Sequence, residues 1–280
     1  MLFRSGQLKQ VKFDLFHTQR TGCEEAPAAA WWAGQPCVGT FHVDSTVDIN
    51  GLRDGFMYRS LEWFSNRCLK KAIAVSEATK RDWMRRTGIA SERVVTIHNG
   101  IDAEQFVRRQ SKEAARGKLG LPQDAVILGG LGRLDPAKGF TYLIEALAHL
   151  RSEFPQALVA IAGSGSLREQ LEAKTAALGV ADRVVFLGFQ SDVNAVLDAC
   201  DVFVLSSLCE ALPFALLEAM AHELPAVGAN VGGIPEVIVP GETGFLAPAK
   251  DAAGLAAALR PLLQSAELRE RLGRAGREQI

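Results

Sequence analysis

From residue 125 onward, short runs of Val, Ile and Leu alternate with amphipathic stretches. The apolar runs fall at 126–130, 158–162, 184–187, 202–205 and 226–229. Between them lie helical patterns at 141–151, 167–178, 193–199 and 214–222. A strand that is apolar throughout has to be covered on both faces, and helices alternating with it supply the cover. The pattern therefore predicts an α/β fold around a parallel sheet. Two further helical patterns, at 252–264 and 268–279, follow the last run.

The first hundred residues are sparser. Three runs read as strands, at 38–41, 72–75 and 94–97, with helical patterns at 52–71 and 77–86. The polar stretch 102–124 reads as a connector with a short helix. This places a boundary near residue 110 and predicts two domains, 1–110 and 111–280. Three strands are few for a doubly wound sheet, which usually has about five or six. There is no glycine-rich strand-to-helix turn near residue 1, and the sequence stops mid-helix at Gln279-Ile280. The expectation is an incomplete first lobe, with a chain that starts inside a domain.

Composition excludes several classes. Among 280 residues, 48% are apolar and 22% charged, and the net charge is −1. Binding a phosphate backbone needs a basic excess, so no nucleic-acid partner is expected. Cys23, Cys37, Cys68, Cys200 and Cys209 are scattered without ligand spacing. That fits reduced thiols in the cytoplasm and argues against a zinc site. No apolar run of about 18 residues marks a membrane span. Residues 1–10 lack the apolar core of a signal peptide.

The residues that carry chemistry cluster after the apolar runs. Gly132-Arg-Leu-Asp-Pro-Ala-Lys-Gly139 follows the run at 126–130. It puts Arg133 and Lys138 at a strand's carboxyl end, where open α/β sheets bind ligands. Two cations on a glycine-bounded turn can hold a diphosphate, or they can be solvated charges on a surface turn. Gly163 and Gly165, in Ala162-Gly-Ser-Gly165, lack the third glycine of a dinucleotide fingerprint. They read as a tight turn lining a phosphate cleft. Glu210 and Glu218 straddle the start of the helix at 214–222. As carboxylates they can accept hydroxyl hydrogens from a sugar or ribose; alternatively Glu210 is a helix-end charge and Glu218 a solvated one. Asn230-Val-Gly-Gly-Ile-Pro-Glu236 is a second glycine turn, in which Glu236 reads as a brace. His42 stands at the end of the run at 38–41, and a lone histidine there is open to a structural or a binding role, as are His17 and His98. No Asp-x-Asp pair occurs, so phosphate charge is expected to meet Arg133, Lys138 and helix N-termini rather than a metal.

In their order these segments resemble the family 4 retaining glycosyltransferases, which have the GT-B fold of two Rossmann-like lobes with parallel sheets. The matching pieces are Ala74-Val-Ser-Glu77, Ile97-His-Asn-Gly-Ile-Asp102, Gly132-Arg with Lys138-Gly139, and Gly163-Ser-Gly165. Leu187-Gly-Phe189, the Glu210/Glu218 pair with Glu-Ala-Met-Ala221, Val231-Gly-Gly-Ile-Pro-Glu236 and Thr243-Gly-Phe245 follow. The resemblance implies transfer of a hexose from a UDP- or GDP-hexose to a glycan, lipid or small acceptor. Transfer would proceed with retention, with no metal and no cofactor.

Several roles follow from the resemblance. Arg133 and Lys138 would bind the diphosphate, and Glu218 the ribose. Glu210 would contact the hexose, aided by the backbone at Ala211, Leu212, Pro213 and Phe214. His42 would face that sugar, and Gly188 and Phe189 open the loop on which base choice depends. The catalytic set would be Glu210, His42, Arg133 and Lys138, with the leaving phosphate helping to deprotonate the acceptor.

The chain also departs from the family. Leu212-Pro213 replaces the commoner glycine after Glu210, Ser164 stands where aspartate is frequent, and His222-Glu223 replaces a small pair. The start of the first lobe is not evident, so a donor-binding fragment without catalysis is the alternative. The stretch 52–71 mixes Phe56, Met57, Trp63 and Phe64 with Arg53, Arg59, Arg67, Lys70 and Lys71. Such a helix can lie on anionic lipid, or turn its apolar stripe to the core. The first option would bring a cytoplasmic protein to the inner face of the membrane.

Overall fold

A computed structural model describes residues 13–20, 26–42 and 56–280. The segment 1–10, Cys23 and residues 52–55 of the basic stretch lie outside the described residues. The chain divides into two compact units, residues 1–99 with 209–212 and residues 100–208 with 213–280.

The first unit holds a four-stranded parallel sheet of β1 (Phe16–Arg20), β2 (Cys37–Phe41), β3 (Lys71–Ala74) and β4 (Val94–Thr96), in that order. Helices α1 (Ala26–Trp32), α2 (Phe56–Cys68) and α3 (Glu77–Thr87) connect the strands. Strand β1 is one more than the sequence predicts. Its Phe-His-Thr-Gln-Arg carries no apolar run, because as the edge strand it buries only alternate positions, such as Thr18. Backbone pairing with β2 holds it, with Phe16 opposite Cys37 and Gln19 opposite Thr40. The core forms where Phe41 packs on Trp83, ring centroids 3.8 Å apart. Ser76 caps α3 by accepting from the Thr79 amide at 3.0 Å, and Gly88 ends it with a left-handed φ of 67°.

Among the described side chains of α2, residues 62–66 run against a core-facing apolar stripe. Glu62, Ser65 and Asn66 are buried, while Trp63 and Phe64 are exposed. The buried Glu62 carboxylate is satisfied by an ion pair with Arg86.

The second unit is a six-stranded parallel sheet. Its strands are β5 (Val126–Leu131), β6 (Ala157–Ala162), β7 (Val184–Gly188), β8 (Val202–Leu205), β9 (Ala226–Ala229) and β10 (Gly244–Ala247). Their spatial order is β10-β9-β8-β5-β6-β7. The chain thus runs outward from β5 to β7, then returns to the other side of β5 and runs outward again. The order therefore reverses between β5 and β8, the kind of switch point beside which open α/β sheets bind ligands at the strands' carboxyl ends. The helices are α4 (Lys112–Leu119), α5 (Phe140–Leu150), α6 (Arg168–Ala177), α7 (Val193–Ala199), α8 (Phe214–Ala221), α9 (Ile234–Val237), α10 (Ala252–Gln264) and α11 (Ala266–Gln279). Helix α5 shows why they cover the sheet. Phe140, Leu143, Ile144, Leu147 and Leu150 are buried, at helical spacing, in one cluster with Leu128, Val159 and Ile161. Among the described residues no helix is long and apolar enough to cross a membrane, and no cysteine is in a disulfide.

Helix α4 is tied down by charge. Asp201, at the start of β8, accepts from Lys112 Nζ at 2.5 Å and Arg116 Nη2 at 2.6 Å. Its Oδ2 also accepts from the Ile127 amide at 2.7 Å. Arg116 also donates through Nε to the carbonyl of Ala199 and through Nη1 to that of Gln123. Because Arg116 and Asp201 are both buried, removing one partner strands the other charge. Asp201→Ala is expected to destabilise this unit by about 3–5 kcal/mol, measured by denaturant unfolding followed by circular dichroism; a loss below about 1 kcal/mol, the scale of exposed pairs, would refute it.

Candidate functional site

Three strand-end loops of the second unit are zipped together by backbone hydrogen bonds. The Gly132 amide donates to Ala162 O at 3.0 Å, Leu134 N to Ser164 O at 2.9 Å and Leu167 N to Leu134 O at 3.0 Å. The Gly163 amide donates to Gly188 O at 2.7 Å, joining the loop after β7. On the other side of β5, Leu208 N donates to Ala137 O at 2.7 Å and Ser206 Oγ to Lys138 O at 3.1 Å. The turn 132–139 is thus held on both flanks.

Two glycines make this approach possible. Gly163 has a φ of 149°, and a Cβ there would lie 1.8 Å from Gly132 O. Gly139 has a φ of 60°, and its Cβ would lie 2.2 Å from Ser206 O. No side chain fits either gap. Gly165 is pressed against the Leu134 backbone in the same way, whereas Gly188 has open space around it.

A cleft of about 260 Å³ opens at the carboxyl ends of β5, β6 and β7. It is lined by Gly132, Arg133, Gly163, Ser164, Phe189 and Val193 among others. Phe189 is 76% exposed, and its neighbour Gln190 is fixed by donating to Leu187 O at 2.7 Å. The methylenes of Lys138 lie over Gly132. Arg133 reaches outward and pairs with Asp135 at 3.0 Å. Helix α5 begins immediately after Gly139 with no side chain capping it. Its N-terminal end adds a partial positive charge beside the two cations.

Glu218 lies midway along α8, between buried Leu217 and Ala219. The side chain is half-buried and forms no hydrogen bond or ion pair among the described residues. Burial pushes its carboxyl up from the ordinary 4.5. The end of α8 is anchored by His222, whose Nε2 meets Asp198 Oδ1 of α7 at 2.8 Å, both side chains fully buried. Burial lowers the His222 pKa against the opposing pull of Asp198. The next residue, Glu223, takes a left-handed φ of 60°.

The remaining expected residues lie elsewhere. Glu210, Ala211 and Leu212 belong to the stretch 209–212 between β8 and α8, which groups with the first unit. Glu210 is half-buried, Ala211, Leu212 and Pro213 are buried, and Phe214 is exposed. His42, in the first unit, is exposed at the end of β2 with Nε2 bonded to Gln19 Oε1. Its pKa is lowered by desolvation first and by His17 second. His17 Nε2 in turn meets Thr40 Oγ1 at 2.8 Å.

Arg133, Gly163 and Phe189 therefore share one cleft, with Lys138 against its Gly132. Sequence reasoning missed Asp135, Ser206 and Asp198. The first two sit beside motif residues and were within reach. Asp198 pairs with a residue 24 positions away, which no local pattern reveals. Among the described residues, no group of three His, Cys, Asp or Glu is placed to hold a metal.

Two family models match the chain: Glycosyl transferases group 1 over residues 111–279 and Glycosyltransferase Family 4 over residues 4–105. The UDP-Gal:alpha-D-GlcNAc-diphosphoundecaprenol alpha-1,3-galactosyltransferase of Escherichia coli is 30% identical over 251 residues, covering 87% of this chain and 65% of the relative. A D-inositol 3-phosphate glycosyltransferase of Streptomyces bingchenggensis is 33% identical over 214 residues, covering 72% of this chain and 47% of the relative. The chain spans about half to two thirds of the length of these curated relatives. Among solved structures, Anabaena Alr3699/HepE in complex with UDP superposes with a TM-score of 0.86 at 25% identity, covering 98% of this chain and 76% of that one. The same protein in complex with UDP-glucose gives 0.85 at 25% identity, covering 98% and 76%.

Two measurements follow from this geometry. Gly163→Ala has both a left-handed φ and a carbonyl in the way, so it should destabilise by at least about 2–3 kcal/mol. Gly188→Ala, with open space, should show only the conformational penalty of about 1–2 kcal/mol. Equal losses in denaturant titrations would mean the close approach imposes no constraint.

Glu218 gives a pH signature. An acid whose folded pKa is raised favours the folded state below its unfolded value and loses that contribution as pH rises through the folded value. Glu218→Gln should therefore be more stable than the parent at pH 7, the gap closing as pH falls through the raised folded value and vanishing below about 4.5, the ordinary carboxyl value. Thermal unfolding across pH tests this, and a variant less stable than the parent at pH 7 would contradict it.

Proposed function

The chain belongs to the glycosyl transferases group 1 family, and from that premise we propose that its second unit binds a nucleoside-diphosphate sugar for transfer to an acceptor. Its two parallel sheets are those of the GT-B fold. One observation carries the proposal: a cleft lined by the glycine turns at the carboxyl ends of β5 and β6, flanked by Arg133, Lys138 and the uncapped start of α5.

The chemistry follows from what surrounds the cleft. Glycine backbone and the Phe189 ring in its lining suit a flat ring such as a nucleobase. A diphosphate meets Arg133, Lys138 and the α5 amides, where a charge-assisted contact contributes about 1.5–3 kcal/mol. Glu218 accepts hydrogens from the ribose hydroxyls, which supplies the partner its carboxyl lacks. The UDP and UDP-glucose complexes of Alr3699/HepE favour a uridine nucleotide over a guanosine one.

In the proposed reaction, the bond from the sugar's anomeric carbon to the leaving phosphate breaks. A bond to the acceptor oxygen forms on the same face, and the acceptor proton passes to a phosphate oxygen. Arg133 and Lys138 stabilise the charge that develops there. No protein nucleophile is needed, which is the route to retention. The transferred sugar is a hexose, and the assignment of Glu210 and His42 to it rests on the order of motifs in the sequence.

Calorimetric titration of UDP, UDP-glucose, UDP-galactose and GDP-mannose, followed by transfer assays, tests this reading. Glu218→Ala should weaken UDP and UDP-sugars by about 1–3 kcal/mol. Lys138→Ala should weaken UDP by a similar amount while leaving uridine unaffected. Binding without transfer would restrict this chain to donor capture. No heat with any of the four nucleotides would refute the donor site.

A further inference from the structure

The turn 132–139 carries two cations and one carboxylate, that of Asp135. Its backbone closes tightly around them. The Asp135 amide donates to Arg133 O at 2.9 Å, and Leu134 between the two is fully buried. The side chains on either side of Leu134 meet, Arg133 Nη2 to Asp135 Oδ2 at 3.0 Å. The Lys138 amide returns to the same residue, donating to Asp135 O at 3.3 Å. Only 18% of the Asp135 side chain is exposed, against 77% of that of Arg133. Asp135 Oδ1 is buried and has no hydrogen-bond partner among the described residues. The bonds from Leu134 N to Ser164 O and from Leu167 N to Leu134 O hold the backbone on which this carboxylate sits.

A fixed carboxylate beside a phosphate site repels its ligand, and the repulsion grows with the ligand's charge. The two forms of a nucleoside diphosphate that meet such a turn differ in charge. In a sugar donor each phosphate carries one negative charge, because the terminal one is esterified to the sugar. In the free nucleoside diphosphate the terminal phosphate loses a second proton at about pH 6, as a phosphate monoester does. After transfer, the proton taken up by the leaving phosphate passes to water, so the product carries one charge more than the donor. Arg133 and Lys138 alone would hold that product more strongly than the donor. Asp135 reduces the turn's excess from two positive charges to one, and its repulsion falls hardest on the product.

We propose that Asp135 sets the preference of this cleft for a nucleoside-diphosphate sugar over the free nucleoside diphosphate, so that spent product leaves the phosphate turn. The role rests on the donor reading above, and adds to it a residue that acts by opposing the ligand's charge. Arg133 keeps the donors that the pair does not use for the ligand.

Calorimetric titration of the parent and Asp135→Asn with UDP, UDP-glucose and the β-methyl ester of UDP, at about pH 7.5 and low salt, tests it. The methyl ester has the charge of the donor without its sugar, which separates charge from hexose contacts. The substitution keeps the shape of the side chain and removes its charge. The variant should bind all three more tightly and UDP most, so that the ratio of UDP to methyl-ester affinity rises at least about threefold. UDP-glucose should follow the ester, and the rise should shrink as sodium chloride goes from about 0.05 to 0.5 M. Asp135→Ser also removes the charge and should show the same rise. An unchanged ratio in both variants would overturn the proposal. So would weaker binding of all three ligands, since Asp135 would then be orienting Arg133. A parent that binds none of the three removes the donor site and this role with it, whereas a parent that binds UDP beside variants with an unchanged ratio removes this role alone.

Discussion

One backbone approach governs the second unit: the carbonyl of Gly132 occupies the space where any side chain at position 163 would begin. This contact brings the ends of β5 and β6 close enough for their loops to exchange hydrogen bonds from Gly132 to Leu167. The same device recurs across β5, where Gly139 admits the carbonyl of Ser206. A turn held on both flanks has few alternatives open to it. Its two cations start from fixed backbone positions, and ordering them around a ligand requires little further loss of backbone freedom. The positive character of the turn is therefore preorganised even though Arg133 itself is a flexible, exposed side chain.

The opposite end of β5 is secured by different physics. There Asp201 draws together the Ile127 amide and two cations from α4. Such a network is weak evidence for stability, because desolvation offsets much of the Coulomb attraction. Its effect is specificity: only one placement of α4 satisfies Arg116's donors to Asp201, Ala199 and Gln123 together. The strand beside the crevice is thereby fixed at one end by charge and at the other by the lack of side chains.

What the sequence revealed follows the same division. The apolar runs of β5 to β9 were legible because a strand buried on both faces leaves no position for a polar residue. The edge strand β1 was not, since His17, Gln19 and their neighbours need only backbone pairing and one covered face. The orientation of α2 was hidden for another reason. Amphipathic spacing cannot tell that the buried Glu62 has a partner in Arg86, 24 residues on. At the site, Arg133, Lys138 and the glycines stood out because they sit in short turns after apolar runs. The half-burial of Glu218 is set by how α8 packs, and the Asp198–His222 bond that anchors α8 joins residues on separate helices.

The glycine contacts also channel how this surface can vary over evolution. Gly139, Gly163 and Gly165 leave no room for a side chain, so these positions of the turns at 132–139 and 162–167 cannot take a larger residue. Gly188 has nothing within 4 Å of its would-be side chain, and Phe189 beyond it is largely in solvent. A side chain at 188 or a different ring at 189 meets no neighbour there. Selectivity for one ring over another can therefore change by substitutions after β7 alone, while the phosphate-facing turns stay as they are.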